Sequence, residues 1–417
     1  MAAINRRELL RNAFLIGGNV AASSAHLEPQ RSAASQATGV DYYQKLGITP
    51  FINAAGTYTV LSASTMPPQV QAAIAVAAEH PVNLKELLVA SGEYLAKRLH
   101  CESALVTCGA AAALTLGTAA CVTVANQNAI LGIPTDMAGL KNEVLVQRTH
   151  RYDYDHAVRN AGVRFVEVDT VDDYQRAFTD QTAMAHFFNA GEGKISREDW
   201  VRIAHQHGVP CFNDAAADVP PISNLWNYTQ MGFDLVTFSG GKGLRGPQCT
   251  GLLLGRRDLI QAASQNNSPN SNTIGRGMKV AKEEIVGLIA AVDWFLEQED
   301  EKLQAEFQQR AERIAAQVRM LPTVQTQIFV PPVANRVPHL LVTYDPSHIK
   351  ITGTQVMEKM RQGNPRIELN PGTGGPPASA GLPGGQNTII VGVWMLQPGE
   401  DAIVAHHLHE VLRAAAS

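Results

Sequence analysis

Apolar positions in the first third of the chain recur three and four residues apart, whereas those further on fall into short unbroken runs. Residues 70–80 and 84–99 carry the helical spacing. Residues 109–124 share it and are rich in Ala, Gly and Thr, which suits a helix packed closely on a sheet. Short apolar runs at 104–107, 144–147, 163–168, 183–188, 210–212, 235–238 and 251–254 read as strands, with helical stretches between most of them. This alternation predicts an α/β fold with a mostly parallel sheet. Residues 285–318 predict one or two long helices, with Trp294, Phe295 and Phe307 as core anchors. From residue 322 a second, smaller α/β unit is expected, with strands at 327–330, 339–344 and 388–393. The Gly- and Pro-dense stretch 370–386 reads as a loop that could lie over a site.

Residues 1–40 break this pattern. Arg6-Arg7 precede a modestly apolar run over 13–25 that ends in small residues, the layout of a secretory signal. The paired arginines resemble a twin-arginine signal, which directs export of folded proteins and predicts a periplasmic location; the alternative is an N-terminal arm of a cytoplasmic protein. The run is shorter than the roughly 20 apolar residues of a membrane span. Residues 27–39, rich in Ser, Ala and Gln, read as a linker. The expected division is a signal-like segment at 1–40, a large domain at 41–296, and a long helix with a small domain at 297–417.

Composition narrows the function without naming it. In 417 residues, 45% are apolar and 17% charged, and the formal net charge is −4, so the chain lacks the basic excess of a nucleic-acid-binding domain. The five cysteines have neither metal-ligand spacing nor an evident disulfide framework, and read as free thiols. No metal site is expected.

Chemistry concentrates in three places. The strand at 235–238 runs into Ser239-Gly240-Gly241-Lys242, then Gly246-Pro247-Gln248. Glycines there let a bulky ligand approach the backbone, and an apolar strand end desolvates the lysine, lowering its pKa as Schiff-base chemistry requires. Asp214 ends the run at 210–212, at the strand end where open parallel sheets bind ligands, although alone it could be a helix N-cap. Thr107-Cys108-Gly109-Ala110 passes from strand to helix through a glycine, a setting that suits a phosphate.

In this order the three resemble the fold-type I enzymes dependent on pyridoxal 5′-phosphate (PLP), the aspartate aminotransferase superfamily. Ser239-Gly240-Gly241-Lys242 with Gly246-Pro247-Gln248, together with the segments 102–107 (ESALVT) and 274–284 (IGRGMKVAKEE), resemble the selenocysteine synthase (L-seryl-tRNA(Sec) selenium transferase) branch, which includes amino-sugar ammonia-lyase-like proteins. The likeness extends over about 41–296 and weakly beyond.

The resemblance implies a seven-stranded large domain, a smaller C-terminal α/β domain and a homodimer or higher oligomer. Lys242 would hold PLP as a Schiff base and exchange protons with substrate. Asp214 would pair with the ring nitrogen, Gly109, Ala110 and Ser239 would hold the phosphate, and Arg276 would contact the phosphate or a substrate acid, within its own subunit or across a subunit boundary. His150 lies where such proteins place a group against the ring, or is a structural histidine. Asn213 and Gln248 would support these groups. The implied reaction runs through an external aldimine and an α-carbanion of a small amino compound, with elimination (a lyase) first and aminotransfer or racemisation as alternatives. A selenium or sulfur transfer on seryl-tRNA is the further alternative, which the charge balance and the short arm in place of a tRNA-binding domain disfavour.

Overall fold

Among the described residues twelve strands are arranged in three sheets, and each apolar run expected in residues 104–393 overlaps one of the strands. The computed structural model describes residues 40–189, 193–332, 334–376 and 382–416; the signal-like segment and part of the 370–386 stretch lie outside them. Residues 1–50 form a separate unit, whose described part holds one short helix, Tyr42–Leu46, capped by the Asp41 carboxylate and by Gly47. Everything below concerns residues 51–417. No helix among the described residues is long and apolar enough to cross a membrane.

The strands are β1 (Ile52–Ala54), β2 (Ser103–Thr107), β3 (Glu143–Gln147), β4 (Arg164–Val168), β5 (Thr182–Phe188), β6 (Cys211–Asp214), β7 (Leu235–Ser239), β8 (Gly251–Gly255), β9 (Gln325–Phe329), β10 (His339–Thr343), β11 (Ile367–Leu369) and β12 (Thr388–Gly392). The large sheet has the order β2-β8-β7-β6-β5-β3-β4, and β8 runs antiparallel to both its neighbours while the remaining pairs are parallel. Strands β3, β6 and β8 are buried along their whole length, which is why their sequences read as unbroken apolar runs and not as alternation.

Helix Ala110–Thr123 is buried over twelve of its fourteen residues. Its small side chains let it lie against the sheet: a Cβ at Gly117 would sit 2.4 Å from the Phe212 ring. The expected long helix is two, Lys282–Leu296 and Asp300–Val318, broken at Glu297-Gln298-Glu299. Phe295 and Phe307 are buried as expected, while Trp294 is half-buried.

A second core gathers Phe307, Ile314, Val318, Leu340, Val342, Val391 and Leu408 between the antiparallel sheet β9-β10-β12 and helices Asp300–Val318 and Glu400–Arg413. Ile52 and Ala54 join this core, because β1 pairs in parallel with β11. Neither three-residue strand was foreseen; three residues show no periodicity.

Candidate active site

The C-terminal ends of β5, β6 and β7 and the N-terminus of helix Ala110–Thr123 enclose a cavity of about 380 Å³. Strand pleating decides which side chains reach it. On β6, Phe212 and Asp214 point to the side of that helix and Asn213 to the other. Asp214 is 3% exposed; the Ala216 N–H donates to its Oδ1 at 3.0 Å and the Tyr152 hydroxyl to its Oδ2. Burial raises its pKa above the usual carboxylate range, opposed by those two hydrogen bonds and by the charge of Lys242.

Lys242 follows β7 on a tightly folded loop. Gly246 N–H donates to Gly240 O at 2.7 Å, Arg245 N–H to Lys242 O at 3.0 Å, and the Ser64 hydroxyl to Gly241 O at 2.7 Å. A Cβ at Gly243 would stand 2.1 Å from the Val219 carbonyl oxygen, so the loop closes only with glycine there. Burial pushes the Lys242 amine below its ordinary pKa, against the pull of Asp214 and then Asp218. An amine whose proton is loosened by burial is the condition a Schiff-base lysine needs.

Gly109 precedes the helix at φ +86°, a conformation that favours glycine, and a Cβ there would meet no atom within 4 Å. Open space therefore adjoins the unsatisfied N–H groups at the positive end of the helix, a setting for an anion. Tyr152 and Phe188 stack 4.0 Å apart as an aromatic wall. An anion cradle, a buried lysine, a buried acid and an aromatic wall around one cavity fit PLP.

Of the residues expected from sequence, the cavity brings together Gly109, Ala110, Ser239, Lys242, Asp214 and Gln248; Cys108, read from sequence as a free thiol, lines it as well. Gln248 also donates to the Thr59 carbonyl at 2.8 Å. Three are placed elsewhere. His150 is fully buried behind the wall, in the turn that follows β3: its Nδ1 accepts from the Phe188 N–H at 3.3 Å and its ring meets Phe187 edge-on. Tyr152, two residues on, lines the cavity and bonds Asp214. Asn213 sits on the opposite face of β6, as pleating requires. Arg276 is exposed beyond the cavity of this single chain, carried outward after Gly275 bonds Asn266 O at 2.9 Å.

Sequence reading missed Tyr152, Phe188 and Asp218. Tyr152 lay in the segment examined for His150, and only the turn geometry separates the two. Asp218 lay four residues past Asp214 in Asp214-Ala215-Ala216-Ala217-Asp218, where the chain is irregular and spacing predicts no facing. Its pKa is raised to about 6 by burial, opposed by Tyr228 and Asn189.

Residues 51–330 match the SelA family, L-seryl-tRNA selenium transferase. A 5′-C-glycyluridine monooxygenase-decarboxylase from a Streptomyces species is 30% identical over 342 residues, 78% of this chain and 83% of that protein. A D-glucosaminate-6-phosphate ammonia lyase from Salmonella typhimurium is 30% identical over 287 residues, 66% of this chain and 75% of that protein. A solved D-glucosaminate-6-phosphate ammonia-lyase structure superposes with a TM-score of 0.76 at 26% identity, covering 91% of this chain and all of the other. The chain belongs to the L-seryl-tRNA selenium transferase (SelA) family, on its PLP fold-type I branch with amino-sugar lyases, and is a PLP-dependent enzyme of the lyase or transferase kind.

Proposed function

We propose that the chain is a lyase, catalysing elimination from a small amino compound at Lys242. The observation that carries this reading is the buried pair of Lys242 and Asp214 in one cavity with the helix N-terminus at Gly109. When bound, PLP supplies a carbonyl for an amine and a ring that withdraws electrons from the adjacent carbon. Gly109, Ala110 and Ser239 would hold its phosphate, and Asp214 would hold a proton on its ring nitrogen. Lys242 Nζ would carry that carbonyl and would serve as the base that takes the proton from the carbon next to the substrate nitrogen and returns it to the leaving group. Elimination is preferred to aminotransfer or racemisation because relatives that match most of their length include an ammonia lyase. We place tRNA outside the substrate range on charge balance, and a gel shift that showed a tRNA complex would reverse that.

The test is a visible absorption spectrum of the purified protein beside Lys242→Ala, with borohydride reduction and peptide mapping. We expect a yellow band absent from the variant and the reduced cofactor on Lys242, followed by ammonia release from some amino compounds. A colourless protein that takes up no added PLP would sink the reading. We further propose that Arg6-Arg7 direct export; a chain carrying Arg6→Lys and Arg7→Lys should stay in the cytoplasmic fraction, where a periplasmic fraction unchanged by the substitution argues against it.

A further inference from the structure

The cavity holds a second carboxylate with a role still unassigned. Asp218 is 2% exposed and lines the same cavity as Lys242. Three side chains from two elements fix it. Asn189, just past β5, donates to Oδ2 at 2.7 Å; Tyr228, on helix Asn224–Met231, donates to Oδ2 at 2.9 Å; Asn224 of that helix donates to the Asp218 carbonyl at 2.7 Å. Behind them Arg197, the first residue of helix Arg197–Gln206, donates to Asn189 Oδ1 at 2.8 Å, and its guanidinium lies 5.7 Å from the Tyr228 ring centre.

Both donors go to one oxygen. Oδ1 has no protein hydrogen bond among the described residues, though a buried carboxylate gains from filling every lone pair. Asp218 is thus held through Oδ2 by Asn189 and Tyr228, while the residue itself lines the cavity. The charged and titratable groups around it are Arg197, Asp214, Lys242 and Tyr228.

We propose that Asp218 Oδ1 accepts a hydrogen bond from a hydroxyl or ammonium group of the bound molecule beside Lys242, with Asn189, Tyr228 and Arg197 as its positioning residues. The donor has two sources, the phenolic hydroxyl of PLP or a hydroxyl or amino group of the substrate. This rests on the function proposed above and deepens it: a substrate source makes the enzyme selective for amino compounds that carry a further hydrogen-bond donor.

The experiment compares wild type, Asp218→Asn and Arg197→Gln, each checked by melting temperature. One arm measures PLP affinity without substrate, and the pH midpoint of the yellow band. A cofactor source predicts PLP binding weakened about tenfold in Asp218→Asn, with the midpoint moved down because a negative charge near Lys242 is lost. The other arm measures spectral binding constants for matched pairs: L-serine and L-alanine, D-serine and D-alanine, ethanolamine and ethylamine. A substrate source predicts that wild type prefers the hydroxylated member of at least one pair by about tenfold and that Asp218→Asn abolishes the preference. Arg197→Gln should shift the same quantity in the same direction by less, and serves alone if Asp218→Asn does not fold. If PLP affinity, midpoint and every binding ratio are unchanged in folded variants, the inference is overturned. If no pair binds, the cofactor arm decides it. A wild-type protein that takes up no PLP defeats the proposed function itself, whereas PLP uptake with unaltered variants defeats only the role of Asp218.

Discussion

The two ends of the central sheet hold buried carboxylates in opposite circumstances. At the N-terminal ends of β6 and β7, Asp234 is 8% exposed and saturated. Arg256 donates to Oδ1 at 3.0 Å, the Cys211 N–H donates to Oδ2 at 2.7 Å, and His205 Nε2 lies 2.9 Å from Oδ2. This corner gathers His205, Cys211 and Asp234 ligand atoms within 4.8 Å, but Arg256 already neutralises the carboxylate, which disfavours a cation there. At the C-terminal ends, no arginine among the described residues bonds Asp214, and Arg197 reaches Asp218 indirectly, through Asn189 and against the Tyr228 ring. Burial raises the pKa of both. A compensated charge ties strands together, while an undercompensated one is kept where a bound molecule completes it. The sheet thus has a structural end and a chemical end, told apart by what each carboxylate lacks.

The largest effect that could break this comparison is on catalysis at Asp214. Asp214→Asn keeps the shape and removes the charge, and we expect kcat to fall about 10²–10³-fold with a melting temperature equal to or above wild type. A fall under about tenfold would remove Asp214 from the electrostatics of the reaction. Asp234→Asn should do the reverse. Stability should drop by about 1–3 kcal/mol, at the low end for a broken buried pair because the Arg256 side chain is 41% exposed. Steady-state kinetics at 25 °C should stay close to wild type. If Asp234→Asn cut kcat as deeply as Asp214→Asn, the two ends would not be separable.

Between these lies a test of how closely the chain is fitted. Gly117→Val would drive a side chain into the Phe212 ring, and we expect a loss of about 1–3 kcal/mol by denaturant melts. Because Phe212 precedes Asp214 by two residues on the same face, cofactor affinity should weaken with it. A stable variant with normal affinity would show that the helix can shift without disturbing Asp214.

How much was legible follows from the same contrast. Lys242 stood out because a strand end and its glycines leave a local signature in sequence, whereas Asp214, which alone could be a helix N-cap, stood out only through its order with the other two segments. The strands and the helix over Ala110–Thr123 were readable because their burial is continuous. Tyr152, Phe188 and Asp218 were not, since their positions depend on irregular turns or on a neighbour across the sheet, and neither changes local spacing. The break between Leu296 and Asp300 was hidden because Glu297-Gln298-Glu299 contains good helix formers; there Asp300 turns to accept the Ile222 N–H, at 3.1 and 3.0 Å from its two oxygens, an interaction 78 residues away in sequence.

The smallest expected effect sharpens the comparison by its sign. Two buried groups on the chemical side pull stability in opposite directions over the same pH range. The folded chain holds the Asp218 proton up to about pH 6, above an ordinary carboxylate, so its contribution is full at low pH and is lost as pH rises through that value. His186 is fully buried with neither ring nitrogen hydrogen-bonded, and burial lowers its pKa to about 4. The unfolded chain therefore takes up that proton first, and the His186 contribution is present above about pH 6.5 and lost as pH falls toward 4. In wild type the two slopes partly cancel. Asp218→Asn should gain melting temperature relative to wild type as pH rises from 4 to 6. His186→Phe keeps the aromatic packing against Phe212 and should show its advantage at pH 4, about 1–3 kcal/mol, fading by pH 6.5. Melting curves of the three proteins across this range decide it: opposite slopes support two uncompensated buried groups beside the site, and parallel curves would mean that the folded chain titrates them like exposed side chains.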